Sequence, residues 1–220
     1  MINKLFTLFL FSTIFVFGQD NKEKPLKEKI SITLSPLSLI DIFDGSSLRI
    51  GAEKQLSKNV SAHFEPGFYL GNVNVYKRNP KGFLYKVGIN YCINRDLDED
   101  SFKYIGIEYQ YKNQDYEYVD SFAVNTVRFE KQYKMNRKMN CISLKYGVKY
   151  NSDGHFYSDM FLGLGVRFMN STNNLSQQEN DGLLSGEENG STQADSILTP
   201  IGNYGTINFI FGFKIGYRIF

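Results

Sequence analysis

Histidine is scarce in this chain of 220 residues: only His63 and His155 occur. His155 precedes Ser158 and Asp159, so a base, a hydroxyl and a carboxylate fall together, the residue types of nucleophilic catalysis. Two isolated histidines carry no metal-ligand spacing, and neither a metal nor any other cofactor is expected. Cys92 and Cys141 are the only thiols. A larger set is made of charges: Arg49, Glu53, Glu65, Lys86, Glu108, Lys145, Lys149, Asp159, Arg167, Lys214 and Arg218. Both signs are present, so the set reads as a paired ionic core. The competing reading is a charged channel or binding site.

These charges share a sequence context. Along a strand, side chains alternate between faces. From Ser47 to Ser57 one parity carries Leu48, Ile50, Ala52 and Leu56, and the other carries Arg49, Gly51, Glu53 and Gln55. The same alternation recurs around Phe64, Val87, Ile107, Leu144, Leu162 and Phe211, with a charged or glycine-rich opposite face each time. A less regular first segment spans about 29–41, where Pro36 predicts a bulge or kink. About eight strands result. At 10–15 residues each, they exceed the 5–6 residues usual in soluble sandwiches and match the 9–11 needed to cross a bilayer at a tilt.

Connection lengths alternate as well. Short ones fall at 57–59, 95–100 and 151–155; longer ones at 71–81, 113–138 and 170–203, with a modest one at 42–46. The stretch 113–138 keeps some alternation and suits a hairpin prolonging strands five and six. The stretch 170–203 is acidic and rich in Asn, Ser, Gln and Gly, and it reads as a mobile solvated shield. By parity both cysteines face inward at opposite ends of the interior, so free thiols are expected.

The amino terminus has the form of a secretory signal: Lys4, an apolar run from Leu5 to Phe17, and small Gly18. The expected organisation is signal peptide 1–19, a short periplasmic segment 20–28, and one domain over 29–220. Net charge is +2, and one unit less without Lys4. It gives no reason to expect nucleic acid as a partner. Aromatics make up 15% of the chain with no Trp, and Tyr and Phe suit interfacial girdles.

Over about 29–220 this architecture resembles the small eight-stranded outer-membrane β-barrels of Gram-negative bacteria. The segment from Pro36 through Gly45-Ser46-Ser47-Leu48-Arg49-Ile50-Gly51 to Ser57 is similar to the opening hairpin of one branch of that group. Phe220 resembles the terminal signal read by the barrel-assembly machinery, although it shares parity with Arg218 rather than with Ile219. The resemblance implies a closed antiparallel up-and-down transmembrane barrel exported to the outer membrane, in contact with outer-membrane lipid and lipopolysaccharide. A soluble lipocalin-type barrel is the alternative fold. The expected function is non-enzymatic: a structural or surface-interaction role, adhesion or docking, through segments 113–138 and 170–203. A narrow, porin-like pore or small-solute transporter is second. A lipid-modifying enzyme is third, because barrel enzymes acting on lipid A are similar in size. Asp195-Ser196-Ile197 resembles a bacterial O-glycosylation site.

Overall fold

The computed structural model describes residues 30–40, 46–70, 78–95, 101–152, 155–184 and 201–219. The expected signal segment 1–19, the segment 20–28, Ser196 and Phe220 lie outside them. Eight strands follow in order: β1 (Ile30–Leu34), β2 (Ser47–Gln55), β3 (Val60–Tyr69), β4 (Arg78–Arg95), β5 (Ser101–Val124), β6 (Val127–Asn151), β7 (Phe156–Asn173) and β8 (Gly202–Arg218). Each pairs antiparallel with its sequence neighbours in a single sheet. β1 pairs back onto β8, from Ser31 opposite Arg218 to Leu34 opposite Ile215, and closes the sheet into a ring. No helix among the described residues is long and apolar enough to cross a membrane.

The wall is unequal in height. β1 has 5 residues, whereas β5 and β6 have 24 and 25. The expected long first strand is therefore corrected. It stops at Leu34, and Pro36–Ile40 forms a 3-10 helix. Proline has no N–H to continue a ladder and its ring fixes φ, so the chain leaves the sheet here. Ser38 anchors the turn: its Oγ lies 2.7 Å from both the Ser35 and the Ser47 carbonyl oxygens, which share its one proton. At 113–138 there is no loop: β5 and β6 stay in register until they turn at Asn125-Thr126. Both turn residues have positive φ, 49° and 67°, as a tight two-residue hairpin requires.

Parity sorts the faces. Outward positions are apolar and exposed: Leu144, Leu162 and Phe209 are 65%, 63% and 81% exposed. Inward positions bury Glu65, Lys86, Glu108, Lys145, Lys149, Asp159 and Lys214. Inward glycines make room for rings that fill the interior. A side chain at Gly147 would collide with the Tyr104 ring, and one at Gly216 with Tyr157.

Candidate functional site

The end of the interior nearest the short turns holds an ionic core. Glu108 on β5 is its centre: Lys145 Nζ lies 2.6 Å from Oε2, His63 Nε2 3.0 Å from the same oxygen, and Lys86 Nζ 3.7 Å from Oε1. The contact with a carboxylate oxygen places the proton of the His63 ring on Nε2. A second pair joins Lys214 Nζ to Glu65 Oε2 at 2.6 Å, and the Ser35 hydroxyl donates to the same oxygen at 3.0 Å. A third joins Lys149 to Glu53, whose carboxylate also accepts from Ser61 Oγ at 2.6 Å and Tyr157 OH at 3.2 Å. Asp159 accepts from Tyr104 OH at 2.9 Å. Lys145 and Lys214 both lie over the Phe161 ring, at 4.9 and 5.5 Å. Four acids thus face four lysines, with tyrosine and serine hydroxyls completing the shells. Burying charge is tolerable only under those conditions.

Three arginines of the expected network stand elsewhere. Arg218 bonds the Asn151 side chain and lies over the Tyr157 ring at the inner rim. Arg49 Nε donates to Ser47 Oγ at 2.8 Å, four residues along β2 from Glu53. Arg167 on β7 lies opposite Cys141 and Thr206, and no acid is its cross-strand neighbour. Past the last acid on each strand the described inward positions carry no carboxylate up to Tyr116 and Met135. They carry Arg49, Lys112, Arg137 and Arg167, among glycines, serines, Gln110, Gln114, Asn208 and a layer of Met139, Cys141 and Met169 with Tyr204 packed against it.

The β5–β6 hairpin rises beyond the ring and has its own apolar core: Tyr116, Phe122, Tyr133 and Met135, with Tyr118, Leu175 and Leu183 against it. The segment after β7 is ordered over 174–184 rather than a fully solvated shield. It forms α1 (Gln177–Asp181), capped by Ser176 and Glu179 in a reciprocal capping box. Gly182–Leu184 then lies along β5. The Ala123 N–H donates to the Gly182 carbonyl at 2.7 Å, and the Leu184 N–H to the Ser121 carbonyl at 3.0 Å. Lys131 Nζ meets Glu179 Oε1 at 2.5 Å. Tyr133 OH donates to Asp120 Oδ2 at 2.7 Å, and partial burial holds the Asp120 carboxyl above its ordinary range. Glu179 is held down at about 2 by Lys131 and by the Ser176 N–H and hydroxyl.

The His155-Ser158-Asp159 trio does not converge. His155 is exposed in a turn, with Nδ1 2.9 Å from the Arg218 carbonyl, while Asp159 is buried against Tyr104. No group of three or more metal-capable side chains occurs among the described residues. Cys92 and Cys141 are buried and not joined in a disulfide. Cys141 lies six residues along β6 from Gly147, which is level with Cys92 through Tyr104, about 20 Å of strand. Sequence reading passed over His63, Tyr104 and Tyr157 as members of the ionic core, although their inward parity was available. Ser176 and Glu179, three apart, were the readable signal for α1. Comparison with known proteins yields no matching family model, no matching curated protein and no matching solved structure.

Proposed function

We propose that this chain is an outer-membrane β-barrel whose outer hairpin is a platform for surface contact, with a structural or docking role and no catalysis. The observation that carries the reading is the hairpin. β5 and β6 continue for about a dozen residues beyond Tyr111 and Ile142, where the continuous outward apolar band of these two strands ends. Outward residues there turn polar: Asn113, Asp115 and Glu117 on β5, and Asn140, Lys138, Asn136 and Lys134 on β6. A ribbon of that length is marginal in water alone. This one is braced by its aromatic core and by Gly182–Leu184. Between Val127 and Tyr133, β6 pairs only with β5 among the described residues. Its other edge is open to an added strand.

The membrane assignment rests on the inverted faces. A water-soluble barrel of lipocalin type is apolar within, whereas here the interior holds the acids and lysines and the exterior holds Leu, Ile, Val and Phe. Outward apolar positions on β7 run from Phe156 to Phe168, and a tilt near 45° makes that band about 28 Å tall, close to the apolar thickness of a bilayer. Beside its upper border a groove of about 490 Å³ joins Lys138 to Tyr111 and Phe168. This pairing of a cation with aromatic rings suits a lipopolysaccharide phosphate at the interface. The ionic core fills the inner half of an interior that eight strands leave narrow, which supports a closed lumen over a conducting one. Export through a signal peptide and delivery by the barrel-assembly machinery belong to the same reading.

The test is to replace residues 119–132 by a two-residue Asn-Gly turn, which keeps Tyr118 opposite Tyr133. The shortened protein is expected to reach the outer membrane and keep its heat-modifiable gel migration, while binding of the cells to surfaces or partner cells is lost. Unchanged surface binding would contradict the platform. Steady conductance of the full chain in planar bilayers would favour the pore.

A further inference from the structure

The inner half of the interior matches every lysine with a carboxylate, but the outer half does not treat Arg137 that way. Arg137 is 5% exposed. Its Nε and Nη2 are buried and have no hydrogen-bond partner. Its guanidinium lies over the Tyr116 ring, 5.3 Å from the centroid, and no carboxylate pairs with it among the described residues. Ser171, its cross-strand neighbour on β7, is fully buried, and its hydroxyl also lacks a partner. Gln114, fully buried, is its neighbour on β5. Four residues along β7 from Ser171, Arg167 has a buried Nε with no partner. A buried charge without a counter-charge is strongly unfavourable, and a closed protein retains one where something supplies the missing charge.

We propose that the outer half of the interior is an oxyanion site, in which the Arg137 guanidinium and the Ser171 hydroxyl hold a phosphate- or carboxylate-type group. The chemistry of the donors selects the ligand. A guanidinium stacked on a ring keeps its N–H edge free, and that planar fork matches two oxygens of one oxyanion better than a monatomic ion. The surroundings set the sign. Arg49, Lys112 and Arg167 share this part of the interior, with no acid on any described inward position between the ionic core and the layer of Tyr116 and Met135. Apolar layers bound the site on both sides. Tyr116, Tyr133 and Met135 lie above it and Met139, Cys141 and Met169 below it. Low local polarity strengthens each ionic contact. The ionic core beneath closes the path inward, so an anion arriving from the hairpin end is retained, not passed through. The inference stands whether or not the hairpin binds a partner.

The test uses the full chain in detergent, titrated with inorganic phosphate and followed by phosphorus NMR line broadening, with chloride at matched ionic strength as the control. Saturable phosphate binding is expected, weakened at least tenfold by Arg137→Met, several-fold by Ser171→Ala, and unaffected by Lys58→Met in the exposed β2–β3 turn. Arg137→Lys keeps the charge and removes the fork. It should also lose affinity, and it serves where Arg137→Met fails to assemble. Competition by a short-chain phosphatidic acid would assign the site to a lipid phosphate, and its failure to compete would assign the site to a free anion. Absence of saturable phosphate binding by the unaltered protein, or an affinity unchanged in both Arg137 variants, would overturn the proposal.

Discussion

The ionic core at the inner end of the ring and the hairpin at its outer end solve one problem in opposite ways. In the ring, side chains are enclosed by eight strands, and the outward face already carries the apolar surface. The enclosed positions can therefore be charged, provided that Glu53, Glu65, Glu108 and Asp159 each find donors. In the hairpin the relation reverses. Its outward positions are mainly polar, with exposed Val119 an exception, and the ribbon is held by a buried aromatic cluster around Phe122. The boundary falls near Arg137, beyond which the inward positions of β6 pass to Met135 and Tyr133 of the hairpin cluster. Under the proposed membrane reading, which face carries the apolar residues follows from what each stretch of wall is bathed in.

The sharpest way to break this comparison is to remove one acid from the enclosed end. Glu108→Ala strands Lys145 and Lys86 and should cost about 3–5 kcal/mol in denaturant unfolding in detergent, because it leaves buried charge uncompensated. A change below about 1 kcal/mol would mean that water reaches the core and screens it.

The corresponding change at the other end is Phe122→Ala. The lost ring and the cavity cost about 3 kcal/mol locally. Hydrogen exchange should quicken from Tyr116 to Tyr133 and over Gly182–Leu184, while amides around Glu108 keep their protection. Equal acceleration at both ends would mean that hairpin and ring are one cooperative unit.

Two smaller effects follow from charge in the hairpin, and they have opposite signs with pH. Asp120 is raised in the folded state by burial, so its contribution is full below the ordinary carboxylate value and is lost as pH rises through the raised one. Asp120→Asn removes that loss while still accepting from Tyr133. Glu179 is lowered to about 2, so its contribution is present above the ordinary value of 4.5 and is lost as pH falls toward 2. Lys131→Ala should shift that loss upward in pH. Exchange at the Gly182 amide, which donates to the Gln178 carbonyl at 3.0 Å, reads the change directly. A pH response of α1 unaltered by Lys131→Ala would assign it to another group.

The sequence made parity legible because a strand's period of two is imposed by the backbone, and the interior side chains can be listed from it. It did not make partners legible. Glu65 meets Lys214, and Glu53 meets Lys149, across the closed ring, and those meetings depend on the stagger that closure imposes. Arg167 and Arg218 share the inward parity, yet no ion pair joins either to an acid among the described residues. The hairpin was legible only in part, since its polar outward residues imitate a loop while Tyr116, Phe122 and Tyr133 keep the strand period. Local chemistry was readable but outvoted at Ser176-x-x-Glu179, where polar composition masked a capping box. At Pro36 alternating apolar residues masked the end of β1.

The central claim is that the outward apolar wall faces lipid and the hairpin faces water. With Cys92 and Cys141 replaced by serine, a fluorophore placed by Leu164→Cys should be quenched by brominated lipids after reconstitution in bilayers. One placed by Asn125→Cys should be quenched only by soluble iodide. Quenching of the Leu164 probe by iodide, with no effect of brominated lipid, would contradict the account.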